Sequence, residues 1–162
     1  MQLAIPTRGQ WTRALPVAAV VGAVIALDQV TKHLVREGLP IGHSWPEASW
    51  PIRITYVENS GSAFGLFAGQ TLFLIVASAI AIAVVAYMLR RAGPSSLFLR
   101  MSLALVLGGG LSNLADRIRF GGVTDFIDFR VWPIFNVADS SAVIGIALLA
   151  LALLFRGAKA SL

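Results

Sequence analysis

Cysteine is absent from all 162 residues, and charge is scarce: 13% of positions are Asp, Glu, Lys or Arg, and two are histidine. The first absence excludes disulfides and thiol nucleophiles. The second excludes an ordinary soluble surface, in which about a quarter of residues are charged. No HExxH or comparable ligand spacing is present, so the sequence carries no signature of a zinc site. What is there instead is apolar: 57% of residues are hydrophobic and the mean hydropathy is +0.78. That is the composition of a membrane protein.

Four runs, at about residues 15 to 33, 71 to 89, 97 to 115 and 139 to 156, are long enough to cross a hydrocarbon core of about 30 Å as helices. The first is long and lacks a convincing small-residue cleavage site, so a removable signal sequence is not expected. A single domain over 1–162 is expected. Arg8 and Arg13 precede the first run, Arg90, Arg91 and Arg100 crowd the link between the second and third, and Arg156 and Lys159 follow the fourth. Basic residues mark the cytoplasmic side, which predicts both termini in the cytoplasm. The net charge of +5 is thereby explained by topology and anionic lipid. No nucleic-acid recognition module accompanies it, and no nucleic-acid partner is expected.

All eight acidic residues fall on the opposite, outer side: Asp28, Asp116 and Asp139 near span ends, and Glu37, Glu47, Glu58, Asp125 and Asp128 in the outer connections. Chemistry is therefore expected at the outer interface. The connections are more than links. RITYVEN alternates with the two-residue period of a strand before the glycine-rich turn NSGSAFG, and VTDFIDFRVWPIF alternates similarly. The predicted fold is an all-α membrane protein of four transmembrane helices with a small β platform at the outer interface. Trp45, Trp50 and Trp132 are expected at headgroup depth, and the extended edge at residues 52 to 59 is expected to hold a peptide by strand addition.

Among nucleophiles, Ser60 and Ser62 would need Lys32, His33 or His43 as a base, and a Ser-Gly-Ser turn is usually only a turn. Paired carboxylates fit better, because two close aspartates do not ionise together readily, so that one can donate a proton while the other takes one from water. Each aspartate also has a plain structural use. Asp139 or Asn136 can cap the fourth helix, and Asp116 can pair with Arg117 or Arg119. A small transporter is the rival reading, but proton-coupled transport usually places an ionisable group near the bilayer midplane, and the middles of these spans have none. A non-catalytic scaffold would leave the outer aspartates without a common purpose.

Taken in chain order, DQVTK at 28 to 32, VENSGSAFG at 57 to 65, GGGLSNLADRI at 108 to 118, VTDFID at 123 to 128 and FNVADS at 135 to 140 resemble the lipoprotein signal peptidases, or signal peptidase II, of bacteria. The resemblance covers essentially the whole chain. It implies an aspartyl endopeptidase of the cytoplasmic (inner) membrane that removes signal peptides from prolipoproteins carrying a diacylglyceryl-cysteine, cutting just before that cysteine. Its catalytic dyad maps onto Asp125 and Asp139. No cofactor is implied, the partners are the lipid-modified precursor and membrane lipid, and a monomer is expected.

Beside this resemblance, Asp28 and Lys32 have the spacing of a helical ion pair. Asn59, Asn113 and Asn136, with Gly61 in the turn, are expected to hold substrate backbone. Arg117 is expected to anchor a carbonyl or headgroup while Asp116 orients it. Gly108, Gly109 and Gly110 would admit a close neighbour, either a signal peptide or another helix of the chain. Departures from the family pattern are Ser112, where glycine is expected before Asn113, the serine in NSGSA, and a shorter segment between Asp125 and Asp139.

Overall fold

The computed structural model describes residues 8–46, 50–61, 70–92 and 96–160, with side chains described from Ala14 to Leu154 of these. Glu47 and the turn residues from Ser62 onward lie outside them, as do the side chains of Arg8, Arg13, Arg156 and Lys159.

Four helices, α1 (Arg8–Gly38), α2 (Thr71–Arg91), α3 (Leu97–Phe120) and α4 (Val137–Ala160), are joined by β1 (Ser44–Trp45), β2 (Arg53–Asn59) and β3 (Val123–Asp128). All four contain an apolar stretch of membrane-spanning length. Their large apolar side chains point outward, as with Leu15, Leu72, Ile80, Val143 and Leu154, because lipid rather than a protein core is their solvent. α3 packs against each of the other three helices, whereas α2 rests mainly on α3. The residues α3 buries are accordingly small or polar, including Ser102, Gly108, Gly109, Ser112 and Asp116.

Helix ends lie beyond the predicted ones. α3 continues past residue 115 to Phe120, because Asp116 finds partners inside the bundle and Gly121 ends the helix in the left-handed region at φ 77°, its N–H bonding Arg117 O at 3.1 Å. α4 begins at Val137 with a reciprocal cap. Asn136 Oδ1 accepts the Asp139 N–H at 2.8 Å, and Asp139 Oδ2 accepts the Asn136 N–H at 3.3 Å. This is the capping-box pattern with Asn and Asp as its two members. The alternatives of Asp139 or Asn136 as cap are thus both realised.

The predicted β platform is present at one end of the bundle as an antiparallel sheet of order β1-β2-β3. Tyr56, Phe126 and Val35 form its buried core against α1. The strand-addition expectation is narrowed: β3 takes one edge of β2, and β1 covers the other only at its start, with Ile54 and Thr55 opposite Trp45 and Ser44, so that no described strand pairs that side of Val57 to Asn59. Its backbone is also paired at Tyr56, whose N–H donates to His43 O at 3.0 Å. β3 is covered in turn where Phe126 and Ile127 N–H groups meet Phe135 O.

The three glycines of α3 each meet a different helix of the same chain. A Cβ on Gly108 would lie 2.9 Å from Val24 Cβ in α1, one on Gly110 would lie 3.2 Å from Ile82 Cγ1 in α2, and one on Gly109 would collide with the Ala138 carbonyl in α4. Their neighbours are the protein's own helices.

Candidate active site

A cavity of about 810 Å³ opens where the sheet meets α3 and α4, lined among others by Asn59, Gly61, Asn113, Arg117, Asp125, Trp132 and Asp139. A smaller one of about 240 Å³, between α2, α3 and α4, shares Asn113, Arg117 and Asp139 with it. Asp125 enters from the middle of β3 and Asp139 from the first turn of α4. Asp125 is 3% exposed, and Asp139 is half-buried.

Three asparagines hold the two carboxylates, and each is turned by a bond to its own oxygen. Asn59 Oδ1 accepts the Gly61 N–H at 3.0 Å, which leaves its Nδ2 to donate to Asp125 Oδ2 at 2.9 Å. Asn136 Oδ1 is taken by the α4 cap, and its Nδ2 donates to Asp125 Oδ1 at 2.7 Å. Asn113 Oδ1 accepts Lys32 Nζ at 2.8 Å and Asn136 Nδ2 at 3.2 Å, so its Nδ2 faces Asp139 Oδ1 at 2.7 Å. An amide whose oxygen is engaged by a donor must present its NH₂ elsewhere. The amides expected on substrate backbone are therefore found on the aspartates, linked from Asp125 through Asn136 to Asp139.

Burial is the largest influence on Asp125 and pushes its carboxyl up to about 6. The Asn59 hydrogen bond opposes the rise, the charge of Asp139 adds to it, and Asn136 and Lys32 oppose it. Asp128, on the same strand, behaves oppositely. Burial pushes it up, but hydrogen bonds from Thr55, Arg53 and the Arg130 N–H prevail and hold it below the usual carboxylate range. Its pairing with Arg53 at 2.6 Å ties β3 to β2.

Behind the cavity lies a second acidic group. Lys32 Nζ is 2.6 Å from Asp28 Oδ2 and 2.7 Å from Asp116 Oδ2, with all three side chains wholly buried. Lys32 Nζ also donates to Asn113 Oδ1, so the ammonium is surrounded by protein oxygens. The predicted Asp28–Lys32 pair is present, and Asp116 joins it rather than Arg117 or Arg119. Asp116 thus makes no ion pair with Arg117 among the described residues; Arg117 lines the cavity and donates from Nη1 to Asn113 O at 3.5 Å. Held in this way, Lys32 cannot serve as a base for Ser60, and His33 and His43 are exposed. Trp45, Trp50 and Trp132 are all exposed, but Trp132 also lines the cavity and so does more than anchor.

Sequence reasoning missed Gln29, Ser112 and the backbone of Ala138. Gln29 Nε2 donates to Asp116 Oδ1 at 2.8 Å and Ser112 Oγ at 3.0 Å, and the Ala138 N–H donates to Asp28 Oδ1 at 2.8 Å. The only signal for them was adjacency: Gln29 follows Asp28, and Ser112 breaks the family pattern.

The family described as signal peptidase (SPase) II matches residues 20–155. This chain belongs to the signal peptidase II family. It is 46% identical over 133 residues to the lipoprotein signal peptidase of Halothermothrix orenii, covering 82% of this chain and 90% of that one. It is 41% identical to that of Moorella thermoacetica, covering 78% and 84%. A bacterial membrane enzyme solved by the in meso method at 2.3 Å resolution superposes with a TM-score of 0.83 at 32% identity, over 89% of this chain and 90% of that one. Signal peptidase II membership fits four apolar helices carrying an elaborate polar end, since the family's proteases act on lipoprotein signal peptides.

Proposed function

We propose that this protein is an aspartyl endopeptidase that cleaves the signal peptide from diacylglyceryl-modified prolipoproteins just before the lipid-bearing cysteine, with Asp125 and Asp139 as its dyad. The observation that carries this reading is a pair of carboxylates facing one cavity, bridged by Asn136 and, among the described residues, hydrogen-bonded by amides rather than ion-paired. A carboxyl raised to about 6 supports a pair that holds a proton well above the ordinary carboxylate range, as acid–base hydrolysis of an amide requires.

In this mechanism the ionised member takes a proton from water as the oxygen attacks the peptide carbonyl carbon, while the protonated member donates to the carbonyl oxygen. The tetrahedral intermediate collapses by breaking the C–N bond: the carboxyl that took the water proton gives it to the leaving amine, and a hydroxyl of the intermediate returns its proton to the other carboxylate as the carbonyl re-forms, which restores one proton to the dyad. Arg117 lines the cavity beside both aspartates, where its guanidinium is a donor suited to a substrate carbonyl. Apolar cavity walls formed by Val57, Ile134, Val143 and Ile144 suit a lipid-modified residue. Asn59, Asn113 and Asn136 orient the dyad, and Asp28, Lys32 and Asp116 support them from behind.

The distribution of arginines favours cytoplasmic termini and a site in the outer leaflet of the bacterial cytoplasmic membrane. Impermeant labelling of single cysteines introduced at His43 and Ser95 in intact cells should reach position 43 only; labelling at 95 instead reverses the orientation. The function itself is tested by incubating purified protein with a lipid-modified precursor. The expected product is shortened to begin at the modified cysteine, and an intact precursor, or cleavage elsewhere, refutes the assignment.

A further inference from the structure

Ser112 had no task in the sequence beyond breaking a pattern, yet its side chain is wholly buried and sits at a junction of three helices. Its Oγ donates to Asp28 Oδ2 at 2.7 Å and accepts from Gln29 Nε2 at 3.0 Å. Asp28 Oδ2 is shared with Lys32, which leaves Asp28 Oδ1 for the Ala138 N–H at 2.8 Å. Ala138 is itself wholly buried and directly precedes Asp139. The buried group sets two carboxyl groups against one ammonium. Gln29 and Ser112 supply the neutral donors that a buried carboxylate needs beyond its ion pair.

We propose that Ser112 is a positioning residue: its hydroxyl fixes Asp28 in the orientation that pins the Ala138 N–H in the first turn of α4, and so sets where Asp139 stands in the active site. Ser112 does not line the cavity, so its removal acts on the placement of the dyad and not on the substrate surface. Without the hydroxyl, Asp28 Oδ2 keeps Lys32 alone and Gln29 loses an acceptor. The carboxylate is then free to turn away from Ala138.

The activity arm of the test rests on the peptidase reading; the exchange arm does not. Ser112→Ala should lower kcat on a lipid-modified precursor about tenfold, the scale of a lost hydrogen bond to a charged group, with KM within twofold of wild type. Amide hydrogen exchange in residues 136–140 should quicken while the lipid-embedded remainder of α4 is unchanged. Ser112→Cys, with a weak S–H donor of similar size, should fall between the two, and is read alone if the alanine variant does not fold. Unaltered exchange at 136–140, or a KM rise with kcat preserved, overturns the proposal. If wild-type protein cleaves nothing, the peptidase reading fails, and the exchange result alone decides the role of Ser112.

Discussion

At the sheet end of the bundle Asp28 and Asp116 touch a cation directly, whereas the hydrogen bonds that Asp125 and Asp139 accept among the described residues come from amides, with Lys32 acting on Asp125 only at longer range. The first pair is sealed between α1 and α3, with Lys32 ion-paired to both carboxylates and bonded to Asn113. The second opens into a cavity. An ammonium holds a carboxylate ionised and in place; an amide holds it in place while leaving its proton exchangeable. Compensation by a fixed charge therefore marks the structural group, and compensation by neutral donors marks the group available for chemistry. Asn113 joins them, since its oxygen reads Lys32 and its nitrogen reads Asp139.

The largest effect is expected from removing the exchangeable protons. Asp125→Asn and Asp139→Asn should each reduce cleavage roughly a thousandfold or more in folded protein, and the double variant should be little worse than either, because members of one catalytic unit fail together. Asn is as good a cap as Asp, so loss of the α4 cap cannot explain such a fall at position 139. Near-normal turnover by either single variant, at matched protein level, would remove that residue from the dyad.

In the sealed group the loss should appear as stability. Lys32→Met leaves two buried carboxylates without their cation, a change that costs about 3–5 kcal/mol when one partner of a buried pair is removed. Thermal unfolding in detergent should show it as a much lower midpoint. A stable but inactive Lys32→Met would blur the comparison by showing that the cation acts on the reaction itself.

The contrast between the two acidic groups also bears on what could be read without a structure. Spans and strands were legible because apolar length and two-residue alternation are local properties. Helix ends were not. Asp116, Arg117 and Arg119 read as the polar limit of a span, yet α3 runs through them because Asp116 has partners in α1. The candidate residues were legible as motifs, but their wiring was not: Lys32 to Asn113 and Asp28 to the Ala138 N–H join positions 81 and 110 residues apart. Nothing local tells an amide whether it will face substrate or aspartate. Asn136 and Asp139 were the exception in principle, since an Asn-x-x-Asp sequence opening a helix is a cap signature.

Packing around the glycines gives a smaller, graded prediction. Gly109→Ala places a methyl against the Ala138 backbone, which cannot yield without moving the turn that carries Asp139. It should cost about 1–3 kcal/mol by overpacking. A methyl group added at Gly22 in α1 would meet nothing within 4 Å, and Gly22→Ala should be neutral or stabilising by about 0.5–1 kcal/mol. Equal midpoints for the two variants would show that α4 does not depend on close approach to α3.

The smallest effect distinguishes holding a carboxylate from using it. Asn59 donates to Asp125 Oδ2, and this bond opposes the rise in the Asp125 carboxyl because it favours the ionised form. In Asn59→Ala that opposition is gone, so the carboxyl should rise above its present value of about 6. The reaction needs one carboxyl of the pair protonated, and activity falls on the alkaline side as that last proton leaves. Losing Asn59 keeps the proton on to higher pH. The alkaline limb of the rate profile should therefore move upward, by less than about one pH unit, while kcat at the optimum falls by about tenfold or less, the scale of one hydrogen bond to a charged group. The limb belongs to the coupled pair rather than to Asp125 alone, so the direction of its movement is the diagnostic quantity. A limb that stays in place or moves down would show that Asn59 does not act on the dyad carboxylate, and the contrast between amide-held and cation-held carboxylates would then rest on Asn113 and Asn136.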